Sequence, residues 1–113
     1  MRISINEPHI FSFHDSMIKS IAFENNDLIL KADEVYCGDR LVSAKLRFCG
    51  CNIKVGCDKS IFNEINSGIK ALISYIHFER RNGMFTADMR FETSSYSGCF
   101  DIKFDCSEFK AEY

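Results

Sequence analysis

Apolar and polar residues alternate with period two along most of the chain, the pattern of half-buried strands. The alternation is clearest from 41 onward, where Val42, Ala44, Leu46 and Phe48 are separated by Ser43, Lys45 and Arg47. After Gly50 the apolar phase changes, and Cys51, Ile53 and Val55 carry it. A one-residue slip at a glycine predicts a bulge or sharp bend at Cys49-Gly50. Such a bend lets one long strand over 41–55 keep feeding a single core as the sheet curls. In the run 84–93, Phe85, Ala87, Met89 and Phe91 face inward, while Thr86, Asp88, Arg90 and Glu92 face outward. In the run 99–106, Phe100, Ile102, Phe104 and Cys106 alternate with Asp101, Lys103 and Asp105. Ser107-Glu108 then kinks the chain before Phe109-Lys110-Ala111. Half-polar strands joined in this way indicate an antiparallel sheet with one wet face.

Upstream, 17–24 and 28–36 are β-rich runs on either side of Asn25-Asn26-Asp27, and they read as a hairpin. Cys37-Gly38-Asp39 marks the next turn. The stretch 58–79 admits two readings. Ile61, Phe62, Ile65, Ile69, Leu72, Ile73 and Ile76 fall within about 120° of arc at helical spacing. Gly68 interrupts that pattern, however, and Asn66-Ser67-Gly68 resembles a helix stop. Asn82-Gly83 is a hairpin turn that wants a strand on each side. The expectation is therefore a short helix over 59–67, capped by Asp58 or Ser60, then a strand over 69–80. One helix over 59–78 is the alternative. The fold class that follows is mainly β (α+β), a single domain over 1–113. About six antiparallel strands form a curled meander sheet or partial barrel, and one short helix covers an open side.

Composition agrees with a globular domain: of 113 residues, 46% are hydrophobic and 27% charged. Eleven Phe and no Trp assign most of the aromatic area to the core. The N-terminus does not read as a signal peptide, and no apolar run reaches the ~18 residues of a membrane span. A cytoplasmic protein with no membrane partner is expected. The six cysteines are then reduced, buried thiols. A zinc site from Cys49, Cys51, Cys57 and His77 is the alternative, but it lacks the usual paired spacing. Charge is uneven along the chain. Residues 1–39 hold three basic and seven acidic side chains, 40–81 eight and three, and 82–113 three and six. Oppositely charged strands lying side by side account for this; a two-signed surface that steers a partner is the other reading.

No phosphate-binding loop, dinucleotide fingerprint, zinc-protease helix or nucleophile elbow occurs. His14-Asp15-Ser16 brings three reactive types together, but triads draw their members from separate segments. Asp15 or Ser16 starting a strand by a side-chain-to-backbone bond explains the triplet better. No catalytic residue, metal or cofactor is expected. Nucleic-acid binding would use Lys45, Arg47, Lys54, Tyr75, His77, Phe78, Arg80 and Arg81; the core's need for Phe and a pI near 5.9 weigh against it.

Three short motifs carry a resemblance: Phe13-His14-Asp15-Ser16 leading into Ile18 and Ile21, Leu46-Arg47-Phe48-Cys49-Gly50, and Phe104-Asp105-Cys106-Ser107-Glu108. Their layout resembles small bacterial immunity proteins of polymorphic toxin systems and their uncharacterised relatives. The resemblance implies a non-enzymatic, cytoplasmic protein that binds and blocks a toxin domain. It carries no binding residue across, and it makes His14, Asp15 and Gly50 structural. Against a nuclease toxin, outward carboxylates at Asp101, Asp105, Glu108 and Glu112 would oppose a basic cleft. A β domain that self-associates through a free edge strand is a second class. A small ligand carrier or enzyme is a third.

Overall fold

The computed structural model describes residues 11–55, 59–81, 83–93 and 98–113, and the alternating runs become strands of one antiparallel sheet. In chain order they are β1 (Phe11–Ser12), β2 (Ser16–Glu24), β3 (Asp27–Cys37), β4 (Arg40–Cys49), β5 (Asn52–Val55), β6 (Ala71–Arg81), β7 (Met84–Thr93), β8 (Gly98–Cys106) and β9 (Glu108–Glu112). The helix α1 (Lys59–Asn66) lies between β5 and β6. The mainly-β class holds. There are nine strands among the described residues because two of the six expected runs are broken, β4 into β5 and β8 into β9, and β1 precedes the first of them.

Hydrogen-bonded neighbours follow the order β5-β8-β7-β6-β2-β3-β4-β9. The two ends of this path belong to the same two bent runs. β9 pairs with β4 from Lys45↔Glu112 to Cys49↔Glu108, and β5 pairs with β8 from Asn52↔Asp105. The register is unchanged across the break, so 40–55 and 98–112 run beside each other as one ladder and the sheet curls back on itself.

The bend predicted at Cys49-Gly50 and the kink predicted at Ser107-Glu108 are thus two sides of one feature. Gly50 takes φ +62°, a left-handed conformation that costs a side-chain-bearing residue about 1–2 kcal/mol. Ser107 donates to the Cys49 carbonyl from its backbone N at 2.9 Å and from Oγ at 3.1 Å. A Cβ on Gly50 would lie 2.6 Å from Ser107 Oγ. Inward positions pass from Phe48 to Cys51 on one run and from Cys106 to Phe109 on the other, all buried.

The β2–β3 hairpin turns on Asn25 and Asn26, at φ 51° and 66°, the backbone of a tight two-residue turn. Helix followed by strand is also observed, and the continuous helix is not. Gly68, at φ +110°, ends the helix, and its N–H donates to the Ile65 carbonyl. Of the proposed caps, Asp58 lies outside the described residues, as does the side chain of Ser60. Phe62 and Ile65 plant α1 on the core. The Asn66 side chain bonds the backbone of Ile21 twice, accepting from its N–H at 2.9 Å and donating to its carbonyl at 2.8 Å. An amide there completes a stretch of β2 edge that no strand covers. Bulges at Lys19, Glu34, Lys54 and Ser74 were not expected from the sequence pattern.

Gly50→Ala should lower unfolding stability by about 1–2 kcal/mol from backbone strain alone, with a further loss from the Ser107 hydroxyl. In a Ser107→Ala background only the strain should remain. Urea denaturation of the four proteins in this cycle checks it; equal losses in both backgrounds would show that the hydroxyl does not matter.

Candidate functional site: an open seam between two strand edges

β2 and β6 meet at only two pairs, Ser16↔Ile73 and Met17↔Leu72. The contact extends one step further, through the Asp15 N–H donating to the Ile73 carbonyl at 2.9 Å and His14 Nδ1 at 3.0 Å from the Ser74 carbonyl oxygen. Beyond that point the strands part. Residues 11–14 form one wall and 74–78 the other wall of a cleft of about 430 Å³. β1 pairs only with β3, and β6 pairs with β7 along its whole length. From Tyr75 to Arg81 the other edge of β6 therefore meets no strand among the described residues.

Local sequence explains the parting. Asp15 turns left-handed at φ 62°, and the Ser16 N–H closes the turn onto the Phe13 carbonyl at 2.9 Å. Ser16 is fully buried and donates from Oγ to the carbonyl of Glu34, the left-handed bulge residue of β3, at 3.0 Å. Ser74 is the extra residue of the β6–β7 bulge. With a turn on one strand and a bulge on the other, the ladder does not continue.

The parting uncovers part of the core. Ile76 and Phe78 face inward on β6 yet are only half-buried, while Met89 and Ala87, paired with them on β7, are fully buried. Phe78 stacks on Phe48 at 5.9 Å and meets Phe109 at 6.0 Å. Across the gap, Phe11 contacts Phe13, Phe109 and Tyr113. The cleft thus joins an aromatic floor to two strand edges.

His14, Asp15 and Ser16 stand at the mouth of the seam, with the Ser16 side chain turned away from the other two. His14 Nε2 lies 3.4 Å from the Asp15 carboxylate on the surface, and the Ser16 hydroxyl points inward to a carbonyl. The serine is bonded as a structural residue would be. Among the described residues no three His, Cys, Asp or Glu side chains gather as metal ligands. Cys57, named for zinc, lies outside the described residues, and His77 is a wall of the seam. Cys51 and Cys106 are buried free thiols; Cys37 and Cys49 are half-buried. A hydrogen bond from Cys106 holds the Cys51 thiol below its ordinary pKa, and the same bond, with burial, pushes Cys106 up.

The carboxylates Asp101, Asp105, Glu108 and Glu112 all occupy outward positions of the run 98–112. Asp101 takes Arg90 in a two-pronged bond, at 2.9 and 3.3 Å. Asp105 takes Lys54 at 3.0 Å and the Thr86 hydroxyl at 3.0 Å. Glu108 lies 3.9 Å from Lys110, and Glu112 is also engaged. Arg47–Asp27 at 2.9 Å and Lys54–Asp105 join the basic middle of the chain to its acidic ends across neighbouring strands, whereas Arg90–Asp101 and Lys110–Glu108 lie within the C-terminal third. Of the residues considered for nucleic acid, Arg47, Lys54, Tyr75, Phe78 and Arg80 are engaged within the chain. The Arg80 guanidinium lies over Phe85 at 4.9 Å, and Tyr75 lies beneath Arg90 at 5.8 Å. The side chain of Arg81 is outside the described set.

Of the seam's principal residues, Phe11 and Ser74 were not singled out by the sequence; Phe13 entered only in a motif of the resemblance and Ile76 only in the helical pattern of 58–79. A strand over 69–80 was legible, but nothing in it marks an unpaired edge. Comparison with known proteins finds no matching protein-family model, no matching curated protein and no matching solved structure. The resemblance to immunity proteins rests on the quoted residues alone.

The hydrogen bond from Arg90 holds Asp101 below the usual carboxylate range. A depressed carboxylate contributes stability above its unfolded pKa of about 3.9 and loses it as pH falls through the folded value. Asp101→Asn should therefore be less stable than the parent at pH 7 and converge with it near pH 2. Urea midpoints across that range test this; parallel curves would refute it.

Proposed function

We propose that this chain is a non-enzymatic protein-binding domain that receives an extended segment of a partner protein in the seam between β1 and β6. One observation carries the reading: Ile76 and Phe78 lie half-buried beside an edge of β6 that, from Tyr75 onward, meets no strand among the described residues. An exposed edge offers a row of backbone donors and acceptors, and an added strand gains affinity from them. Alternate side chains of that strand would enter the aromatic floor of the cleft. Elsewhere the free edge of β2 is occupied by Asn66, so the open edge of β6 is the better template.

The particular form of the proposal, drawn from the resemblance, is a cytoplasmic bacterial immunity protein whose partner is a toxin domain that it blocks. The acidic positions Asp101, Asp105, Glu108 and Glu112 are a weaker candidate surface, because each already has a partner within the chain. Self-association through the same β6 edge is the second reading, favoured by the same unpaired backbone.

Amide hydrogen exchange of the free protein should show fast exchange for those amides of 75–80 that are not bonded to β7. A partner captured from the native cell and purified should slow them. Ser12→Trp, which places bulk in the cleft from an exposed position, should weaken that partner by tenfold or more, while Phe23→Lys, exposed at the far end of β2, should not. Equal binding by Ser12→Trp, or protection appearing only on β8 and β9, would move the interface away from the seam. A concentration-dependent dimer abolished by Ser12→Trp would favour self-association.

A further inference from the structure

Cross-strand neighbours on the outer face of β3, β4 and β9 include two pairs of like charge. Register sets Lys31 directly opposite Lys45, and Arg47 directly opposite Lys110, on either side of β4. Like charges in directly opposed positions destabilise a sheet. The second pair is relieved by carboxylates, since Arg47 has Asp27 at 2.9 Å and Lys110 has Glu108 at 3.9 Å. The first is not: among the described residues no ion pair joins Lys31 or Lys45 to a carboxylate.

Lys31 and Lys45 line a depression of about 460 Å³, together with Lys19, Asp33, Ser43 and Tyr113. Glu112, opposite Lys45, stands on its rim and has an interaction of its own. Asp33 is already engaged, by Lys19 at 3.4 Å and by the Ser43 hydroxyl, which donates to it at 2.7 Å. Lys19, the bulge residue of β2, lines the same hollow with its ammonium on Asp33. Unrelieved positive charge therefore sits at Lys31 and Lys45, beside carboxylates able to accept hydrogen bonds from hydroxyl groups.

We propose that this depression binds a small organic phosphate bearing hydroxyl groups, with its phosphoryl group between the Lys31 and Lys45 ammonium groups. An ammonium is a compact charge with three donors, suited to phosphate oxygens that arrive from any direction. The bound dianion removes the repulsion that the empty site carries. Asp33 and Glu112 accept from the ligand's hydroxyls, and the Tyr113 ring walls one side. The hollow exceeds the size of a bare phosphate, which favours an organic ester over the free ion. The site lies outside the seam and does not rest on the strand-addition reading.

Glycerol 3-phosphate and inorganic phosphate are suitable probes, with glycerol as the uncharged control, at ionic strength held constant with sodium chloride. In a two-dimensional amide NMR titration of the full chain, glycerol 3-phosphate should move resonances of 31–33 and 43–45. Lys31→Gln or Lys45→Gln should weaken it about tenfold or more, on the scale of a charged hydrogen bond. Lys54→Gln, whose partner is Asp105 on another part of the sheet, should leave it unchanged. Stronger binding of inorganic phosphate than of the ester would overturn the organic assignment. No shifts, shifts reproduced by added chloride, or equal affinity in the Gln variants would overturn the site. Without ligand at low salt, Lys31→Gln should raise the melting temperature; a fall would show that the two ammonium groups do not repel and would remove the basis of the proposal.

Discussion

The bend shared by Gly50 and Ser107 is the constraint on which the architecture depends. Each half of the sheet, β2-β3-β4 and β6-β7-β8, is a simple meander whose apolar face needs a cover. The bend lets 40–55 and 98–112 belong to both halves, with the apolar face of each run directed at the same interior before and after it. Four strands are tied there. Gly50 N–H donates to the Asp27 carboxylate at 3.1 Å, Cys51 N–H to the Asn26 carbonyl at 2.6 Å, and Ser107 to Cys49. The glycine is required because only a left-handed residue without a Cβ fits against the serine.

A sheet that curls in this way must still manage edges where curvature and pairing disagree. On β2 the answer is Asn66, a side-chain amide imitating a strand's donor and acceptor. On β6 no described residue does the same. The two edges flank the single β2–β6 contact, so one side of that contact is closed by the helix and the other is open. The proposed binding seam lies on the open side. The charged outer face, by contrast, mostly serves the sheet itself. Arg90–Asp101 and Lys54–Asp105 join adjacent strands, whereas Lys31 and Lys45 face each other with no ion pair to a carboxylate among the described residues.

Much of the fold was legible from residue order. Period-two alternation located β4, β7 and β8, the Asn-Asn turn located the first hairpin, and Gly68 separated α1 from β6. The two kinks were visible as phase slips at Gly50 and Ser107. Their opposition was not, because register between segments far apart is set by packing and leaves no local trace. The bulges at Lys19, Glu34 and Ser74 also slip the inward phase by one residue, from Ile18 to Ile21, Ala32 to Val35 and Ile73 to Ile76, but no glycine marks the slip as it does at Gly50. The seam depends on the Ser74 bulge, so the candidate site was the least readable part of the chain. Asp101 and Asp105 were correctly placed as outward residues, but alternation cannot say which cation on the next strand holds them.

The long ladder also bears on how the chain reaches this structure. The hairpins within each half join residues close in sequence, but the ladder from Lys45↔Glu112 to Ile53↔Phe104 joins segments more than fifty positions apart. Closing so large a loop is entropically unfavourable until the whole ladder is in register, and topologies dominated by such pairings fold slowly. Two locally formed halves would thus wait on one distant encounter, and the apolar face of each half stays uncovered during the interval. A newly made chain is most exposed to aggregation in that interval, before residues 98–112 have found residues 40–55.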